Sequence, residues 1–466
     1  MRKLDVDVTR RSFLAMAAGG TAAVVLAACG TAAMPAAEGE MEAPEEEAKP
    51  AAEEMEKEQV TVVAWNAAWG EPYSTIMGAY GPAFEADTGI ALDWQFVSDI
   101  EQKLIASIAA GSPPDTHYTN WVFQGPFMFN ELIRPLDEYM SAAGHTREEF
   151  TKAMWDDSSL NGKLYAVPGG ADWVVYFWNK DMYLAFGEDP EVPLNTFEDT
   201  EEISLKLHRN EGGKISHLGW NWRSFGRERL AFLFGGEFYN YETGKVTPDD
   251  PAIIETLNWL TELTKKQGGY EAINEFHGES GSYYHAAYPW YTGNLAFFSS
   301  GFWAQDRLDA NGEGLPYGIG LPPTIEGAEA GIRFNSVQGW MYAIPVNAAN
   351  PDEAWAFDKW MFIDNSGKMG YETLNGPCVI AQLGEFKEGY IAKVGADNRI
   401  VPYVDVFLQL AQYGETYWPP IATAGDYRRA YLDAAAQVLQ EQITAEEAMK
   451  TLATTQQAEL DSAMSG

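Results

Sequence analysis

The chain has 466 residues, with 31 basic and 68 acidic side chains and a formal net charge of −37. Acidity on this scale excludes nucleic acid as a partner, because phosphate binding needs a basic face. Two Cys, at positions 29 and 378, exclude a disulfide framework, so a body of this length must rest on its own hydrophobic cores, and the length suggests two domains.

Residues 1–28 read as an export signal. Arg2, Lys3, Arg10 and Arg11 form a basic region, followed by an apolar run from Phe13 to Leu26. That run is shorter than the roughly 20 residues a membrane-spanning helix needs, so it is expected to be cleaved and not to anchor the chain. Thr9-Arg10-Arg11-Ser12-Phe13-Leu14 has the twin-arginine pattern. Leu26-Ala27-Ala28-Cys29 resembles a bacterial lipobox, which makes Cys29 the expected lipid attachment site, the alternative being an ordinary signal with a chance Cys. Cys378 then has no intrachain partner and is expected to be a packed small residue.

Residues 29–59 are rich in Ala, Glu, Pro and Met and have no aromatic side chain. They cannot bury enough apolar surface to offset chain entropy and read as a disordered acidic tether. Such a tether would hold the body roughly 30 Å from the lipid. Beyond it the chain carries 25 basic and 56 acidic side chains, a net of −31, so the acidity belongs to the body. No later stretch approaches the length of a membrane span, and the body is expected to be soluble.

The body opens with Val60-Thr61-Val62-Val63-Ala64-Trp65, a β-branched run that predicts a buried strand. Helical spacing of Ile76, Met77, Tyr80 and Phe84 predicts a helix from Tyr73 to Asp87, stopped by Thr88-Gly89. Residues 90–97 predict a second strand, and Ile100 to Ala110 a helix ended by Gly111. This alternation implies a right-handed parallel α/β unit, whose ligands bind beyond the carboxyl ends of the strands. Further strands are expected at Leu164–Val167 and Trp173–Trp178, with helices near Asp199–His208, Arg227–Phe234 and Pro251–Lys266. Residues 426–460 are strongly helical, with a capping box at Thr444-Ala445-Glu446-Glu447.

Five tracts resemble, in order and spacing, the bacterial extracellular solute-binding proteins of ABC importers, the family 1 group that includes maltose-binding protein. They are Phe84-Glu85-Ala86-Asp87-Thr88-Gly89-Ile90, Ala109-Ala110-Gly111-Ser112-Pro113-Pro114-Asp115, Leu132-Ile133-Arg134-Pro135-Leu136-Asp137, Asn161-Gly162-Lys163-Leu164-Tyr165-Ala166-Val167-Pro168 and Trp178-Asn179-Lys180-Asp181. The chain departs from the family where Pro193-Leu194-Asn195-Thr196-Phe197-Glu198-Asp199 has Phe in place of the usual Trp. The resemblance implies an α/β, two-lobe periplasmic-binding-protein type II fold with a hinge. Its expected lobes are 60–170 with 323–378, and 171–322 with 379–466, crossing near Pro168-Gly169-Gly170 and Leu321-Pro322-Pro323. It also implies capture of a solute in the interlobe cleft, delivery to the permease subunits of the membrane, and a monomer.

Sixteen Trp in a soluble body point to a carbohydrate, whose flat C–H faces stack on aromatic rings and whose hydroxyls pair with carboxylate, amide and guanidinium groups. Trp65, Asn66 and Trp69 follow the first strand. Asn120 and Trp121 follow the Asp115 turn, where the family resemblance implies polar sugar contacts; Asp115 itself is expected to be a structural cap. Asp172 and Trp173 come after the first crossing, where the family implies an acidic contact. Trp222, Arg223 and Phe225 form an aromatic-basic loop, whereas Arg227 and Arg229 are expected in helix-surface ion pairs. Trp303 matches the family's sugar-stacking Trp, Gly339 and Trp340 its cleft-facing turn, and Trp418 is expected to close the cleft. For Trp340 and Trp418 the reading of a loop aromatic plugging the core edge stays open. An anionic solute would call on Arg223 or Arg333.

No cofactor is expected, and the six His lack metal-ligand spacing. The alternative is a surface-attached carbohydrate-active enzyme. Such an enzyme needs two carboxyls about 5–10 Å apart, and no motif selects a pair among so many acids.

Overall fold

Strand β1 (Thr61–Ala67) forms on the β-branched run, and β2 (Ala91–Val97) and β3 (Thr116–Asn120) lie parallel to it on either side. These are seen in a computed structural model that describes residues 59–278, 284–324 and 337–465. The export signal, the tether, Cys29 and Arg333 lie outside the described residues. The strand β4 (Val167–Asp172) joins the same sheet through a late strand of the chain, β8 (Gln338–Ala343), which runs antiparallel to both β3 and β4, for an order of β2-β1-β3-β8-β4.

Asp115 ties this sheet together, as its capping role required. One carboxylate oxygen accepts from Val63 N (2.9 Å), and the other accepts from Asn350 N (2.8 Å). The helix expected at 73–87 is broken at Ala79 into Tyr73–Gly78 and Tyr80–Thr88, and Gly89 closes it with φ 75°, a conformation that favours a residue without Cβ. Helix Ile100–Ala110 lies on its expected residues.

A second sheet is formed by β5 (Val175–Asn179) between β6 (Phe297–Ser300) and β7 (Tyr317–Gly320), all antiparallel. The chain therefore passes from the first sheet to the second at Trp173-Val174, later than the expected Pro168-Gly169-Gly170. Those glycines lie inside β4 because the Trp340 indole rests on them: a Cβ on either would come within 2.5 Å of the ring. The return runs between Gly320 and Gln338, beginning at the expected Leu321-Pro322-Pro323.

Both sheets are covered on both faces. Tyr176, Trp178 and Phe297 face one core with helices Phe197–Leu207, Arg227–Leu233 and Pro251–Lys266. Phe177, Phe298 and Ile319 face another, which reaches the first sheet through Phe127, Met128 and Met341. A third core holds Val62, Ala64, Phe84, Tyr342, Phe357 and Phe362. The C-terminal helical run is two helices, Ala424–Leu439 and Ala445–Ser465. The Thr444 hydroxyl caps the second by accepting from Glu447 N (3.2 Å). Cys378 is buried and unpaired, in the packing role expected of it.

Candidate functional site

The carboxyl ends of β1, β3 and β4 and the start of β8 come together at one edge of the first sheet. Asn120 pairs with Trp340, and Asp172 with Gln338. Three aromatic rings meet there. Trp69, two residues past β1 and 44% exposed, meets Tyr118 edge-on at 4.9 Å and Trp340 at 6.0 Å. Trp340 is only 3% exposed, held by Gly169 and Gly170 beneath it and by its indole N–H toward Asn375 Oδ1 (3.4 Å).

Polar groups lie beside this aromatic wall. The Asp172 carboxyl is raised to about 6 by burial, opposed by the positive charge of Arg229. Burial also raises Glu101, whose carboxylate lies 3.5 Å from Asn120 Nδ2. The other end of the Asn120 amide is occupied, since Oδ1 accepts from Val122 N (2.9 Å) and so caps helix Trp121–Phe129.

From the second lobe, Arg229 donates through Nε to the Tyr417 hydroxyl (3.1 Å), with its guanidinium 5.2 Å from the Tyr417 ring. Tyr417 in turn meets Trp121 at 5.4 Å, and Arg428 lies 5.0 Å over the Trp121 ring while pairing with buried Glu228. The expectation of a helix-surface ion pair for Arg229 is therefore corrected: helix Arg227–Leu233 turns this residue inward, under Tyr417. Its signal in the sequence is position alone, in the first turn of a helix that follows the aromatic loop. Tyr118 and Tyr417 were also missed. Tyr118 was legible from the two-residue period that puts it on the same strand face as Asn120.

The other expected residues are placed differently. Trp65 lies within β1, not beyond it, and donates through Nε1 to Gln95 on the neighbouring strand (3.1 Å). Asn66 is fully buried, its Oδ1 accepting from Ala67 N. Trp173 is 1% exposed and pins the crossing, packed on Gly376 with Phe302 and Phe386 around it. Gly339 is a close-approach glycine, since a Cβ would come 2.0 Å from Gly170 O. Phe225 is buried in the second lobe's core.

Trp222 stacks on Tyr270 (4.9 Å, 9°), and Arg223 donates to Asn274 (3.3 Å), so that loop is held against helix Tyr270–His277. Trp303 folds over Gly301, just past the end of β6, where Ser300 pairs with Val175 near the crossing. Trp418 is 1% exposed in the core of the second lobe, donating to Ala424 O (3.0 Å) and packed on Phe238 and Tyr427. The adjacent Tyr417 is also buried, lying against Trp121, Phe232 and Arg229.

A separate cavity of about 510 Å³, lined among others by Lys214, His217, Glu275 and Asn294, lies in the second lobe away from the strand ends. Its Lys214–Glu275 pair is exposed on both sides, as on a solvated surface. Among the described residues, no group of three or more His, Cys, Asp and Glu side chains is placed to hold a metal ion, and no helix is long and apolar enough to cross a membrane.

Known proteins are similar to this chain. A maltotriose-binding protein of Pyrococcus abyssi is 25% identical over 266 residues, 56% of this chain and 53% of its own length. The sn-glycerol-3-phosphate-binding periplasmic protein UgpB of Salmonella typhimurium is 25% identical over 264 residues, 53% of this chain and 58% of its own. The chain thus spans about half the length of the curated relatives it matches. Among solved structures, CpMnBP1 with mannotriose bound superposes with a TM-score of 0.70 at 24% identity, covering 85% of this chain and 99% of that one. The GacH receptor of Streptomyces glaucescens, solved unliganded and with acarbose, superposes with a TM-score of 0.66 at 19% identity over 87% of this chain and all of that one. These superpositions establish the two-lobe α/β fold. The model of the bacterial extracellular solute-binding proteins matches residues 66–363, well over half of the chain, and the protein belongs to that family.

Proposed function

We propose that this protein is the substrate-binding lipoprotein of an ABC importer, capturing a carbohydrate outside the cytoplasm and delivering it to a membrane permease. The observation that carries the reading is the juxtaposition of the Trp69–Tyr118–Trp340 wall with Asp172 and Arg229 at the edge where strand ends meet. Aromatic faces take the C–H surface of a sugar ring, and a carboxylate beside a guanidinium takes its hydroxyls. A maltotriose-binding protein and a protein solved with mannotriose bound, both among the similar proteins, support the same class.

The lobes proposed are 60–172 with 323–378, and 173–322 with 379–466, the first boundary lying at the end of β4, and they close on the solute by a hinge. Trp69, Asn120, Trp121, Asp172, Trp303 and Trp340 are the proposed contacts from the sequence reading, joined by Tyr118, Arg229 and Tyr417. Twin-arginine export, cleavage before Cys29 and lipidation there would hold the monomeric body on a tether at the outer face of the membrane.

A thermal-shift screen of the purified chain tests this. At a hundred times its dissociation constant the right saccharide should add roughly 2.7 kcal/mol of stability. A broad panel of mono- and oligosaccharides that leaves the melting curve unmoved would sink the carbohydrate assignment.

A further inference from the structure

The polar half of the cleft is divided in a way that bears on the solute's charge. Asp172 stands at the end of β4, and its carboxylate accepts no hydrogen bond from any described residue although burial raises it. Arg229 enters from the helix Arg227–Leu233; its Nε donates to the Tyr417 hydroxyl (3.1 Å), its guanidinium lies over the Tyr417 and Phe225 rings, and among the described residues it makes no other hydrogen bond. Each feels the other's charge, yet among the described residues no direct ion pair joins them. The carboxylate offers only acceptors and the guanidinium only donors.

Among the described residues, the surroundings add no surplus of positive charge. The charged or titratable groups that reach Asp172 are Arg229, Asp157, Tyr118 and Cys378. Asp157 is buried and raised well above the usual carboxylate range, and its carboxylate accepts from the Thr416 hydroxyl. Arg428, the other guanidinium near Trp121, is neutralised by Glu228. Glu101 adds a further acid beside Asn120.

We infer that Asp172 and Arg229 act as a split pair that selects an uncharged polyhydroxyl solute and rejects a phosphorylated one. This rests on the carbohydrate reading above and names the charge class within it. A hydroxyl both donates and accepts, so neighbouring hydroxyls on one sugar ring satisfy the carboxylate and the guanidinium together. A phosphate only accepts; it would satisfy Arg229 while facing Asp172 and Glu101 with like charge and no donor. Specificity arises from this repulsion as much as from the attraction to the sugar. One curated relative is named for sn-glycerol 3-phosphate, so the two classes are a real choice within this family.

The test is calorimetric titration of the full chain and of Asp172→Asn, Arg229→Gln and Arg229→Lys with mannobiose, maltotriose and sn-glycerol 3-phosphate. Melting curves of each variant confirm folding. The unsubstituted protein should bind a neutral saccharide and prefer it to the phosphate. Asp172→Asn should lower that preference on the order of tenfold or more, because the repulsive group is gone. Arg229→Gln should weaken the saccharide by a similar factor, and Arg229→Lys, which keeps the charge but loses the fork, should weaken it while leaving the preference intact.

Should the unsubstituted protein bind no saccharide, the carbohydrate reading fails and the charge assignment falls with it. If it binds saccharide but Asp172→Asn leaves the preference unchanged, or if sn-glycerol 3-phosphate binds more tightly than either saccharide, the split pair is overturned while capture of a small solute stands.

Discussion

Trp340 lies directly on Gly170: a Cβ at position 170 would come 2.5 Å from the indole, and one at position 169 would do the same. The flat glycine floor lets a Trp from β8 lie across β4, with one edge turned toward Trp69. Gly170→Ala should lift the ring and cost about 1–3 kcal/mol of stability by overpacking. Urea denaturation measures the loss, and saccharide affinity should fall with it, because the wall that Trp340 completes is displaced.

Trp69 offers the converse case. It is 44% exposed, so Trp69→Ala should change stability by less than about 0.5 kcal/mol. Saccharide affinity should nevertheless drop on the order of tenfold, from loss of a stacking face. Equal affinity in the variant would remove Trp69 from the site.

Helix Trp121–Phe129 touches the second lobe's Pro420-Ile421 backbone through Gly125, where a Cβ would come 2.5 Å from Ile421 O. Gly125→Ala should hold the two apart and favour a more open form. Small-angle scattering should give a larger radius of gyration for the variant than for the unsubstituted protein. Tryptophan fluorescence should also change, because Trp121 would leave Tyr417 and Arg428.

Asp172 makes a pH prediction whose sign follows from its upward shift. A carboxyl raised from 3.8 to about 6 by burial binds its proton more tightly folded than unfolded. Its stabilisation is complete below pH 3.8 and is lost as pH rises toward 6. The buried Asp157 and Asp358 are raised too and act in the same direction. The contribution of Asp172 is therefore the difference between Asp172→Asn and the unsubstituted protein: melting temperature should fall less steeply from pH 4 to 6 in the variant.

Asp358 is also held by one donor that can be removed alone. The Thr116 hydroxyl lies 2.9 and 2.8 Å from its two oxygens in a fully buried setting. Thr116→Val keeps the shape and leaves the carboxyl without that bond, which should cost about 1–3 kcal/mol in chemical denaturation.

Much of the backbone was legible because local signals agreed with the global fold. Helix Pro251–Lys266 starts with Pro at its first position and Asp250 accepting from Ala252 N, and it lies on its expected residues. The strand expected at 164–167 is split: Lys163–Leu164 pairs with Ser159–Leu160, and Val167 opens β4, which pairing with β8 carries on to Asp172. The site was less legible. Asn120 stood out as a polar residue at a strand end, but its Oδ1 is taken by the helix it caps, which only the turn geometry reveals.

The sequence by itself determined the opening alternation of strand and helix, which follows from periodicity and turn chemistry along the chain, and the five tracts whose resemblance to the family implied two lobes; the strands β3, β6, β7 and β8 were not read from it. Tertiary structure decided which of two neighbouring aromatic residues faces the strand ends: Trp69 in place of Trp65, and Tyr417 in place of Trp418. Loop residues have no fixed period. Their side chains point where the packing of distant elements leaves room, so within one core Trp418 packs on Phe238 and Tyr427 while Tyr417 turns to Trp121 and Arg229.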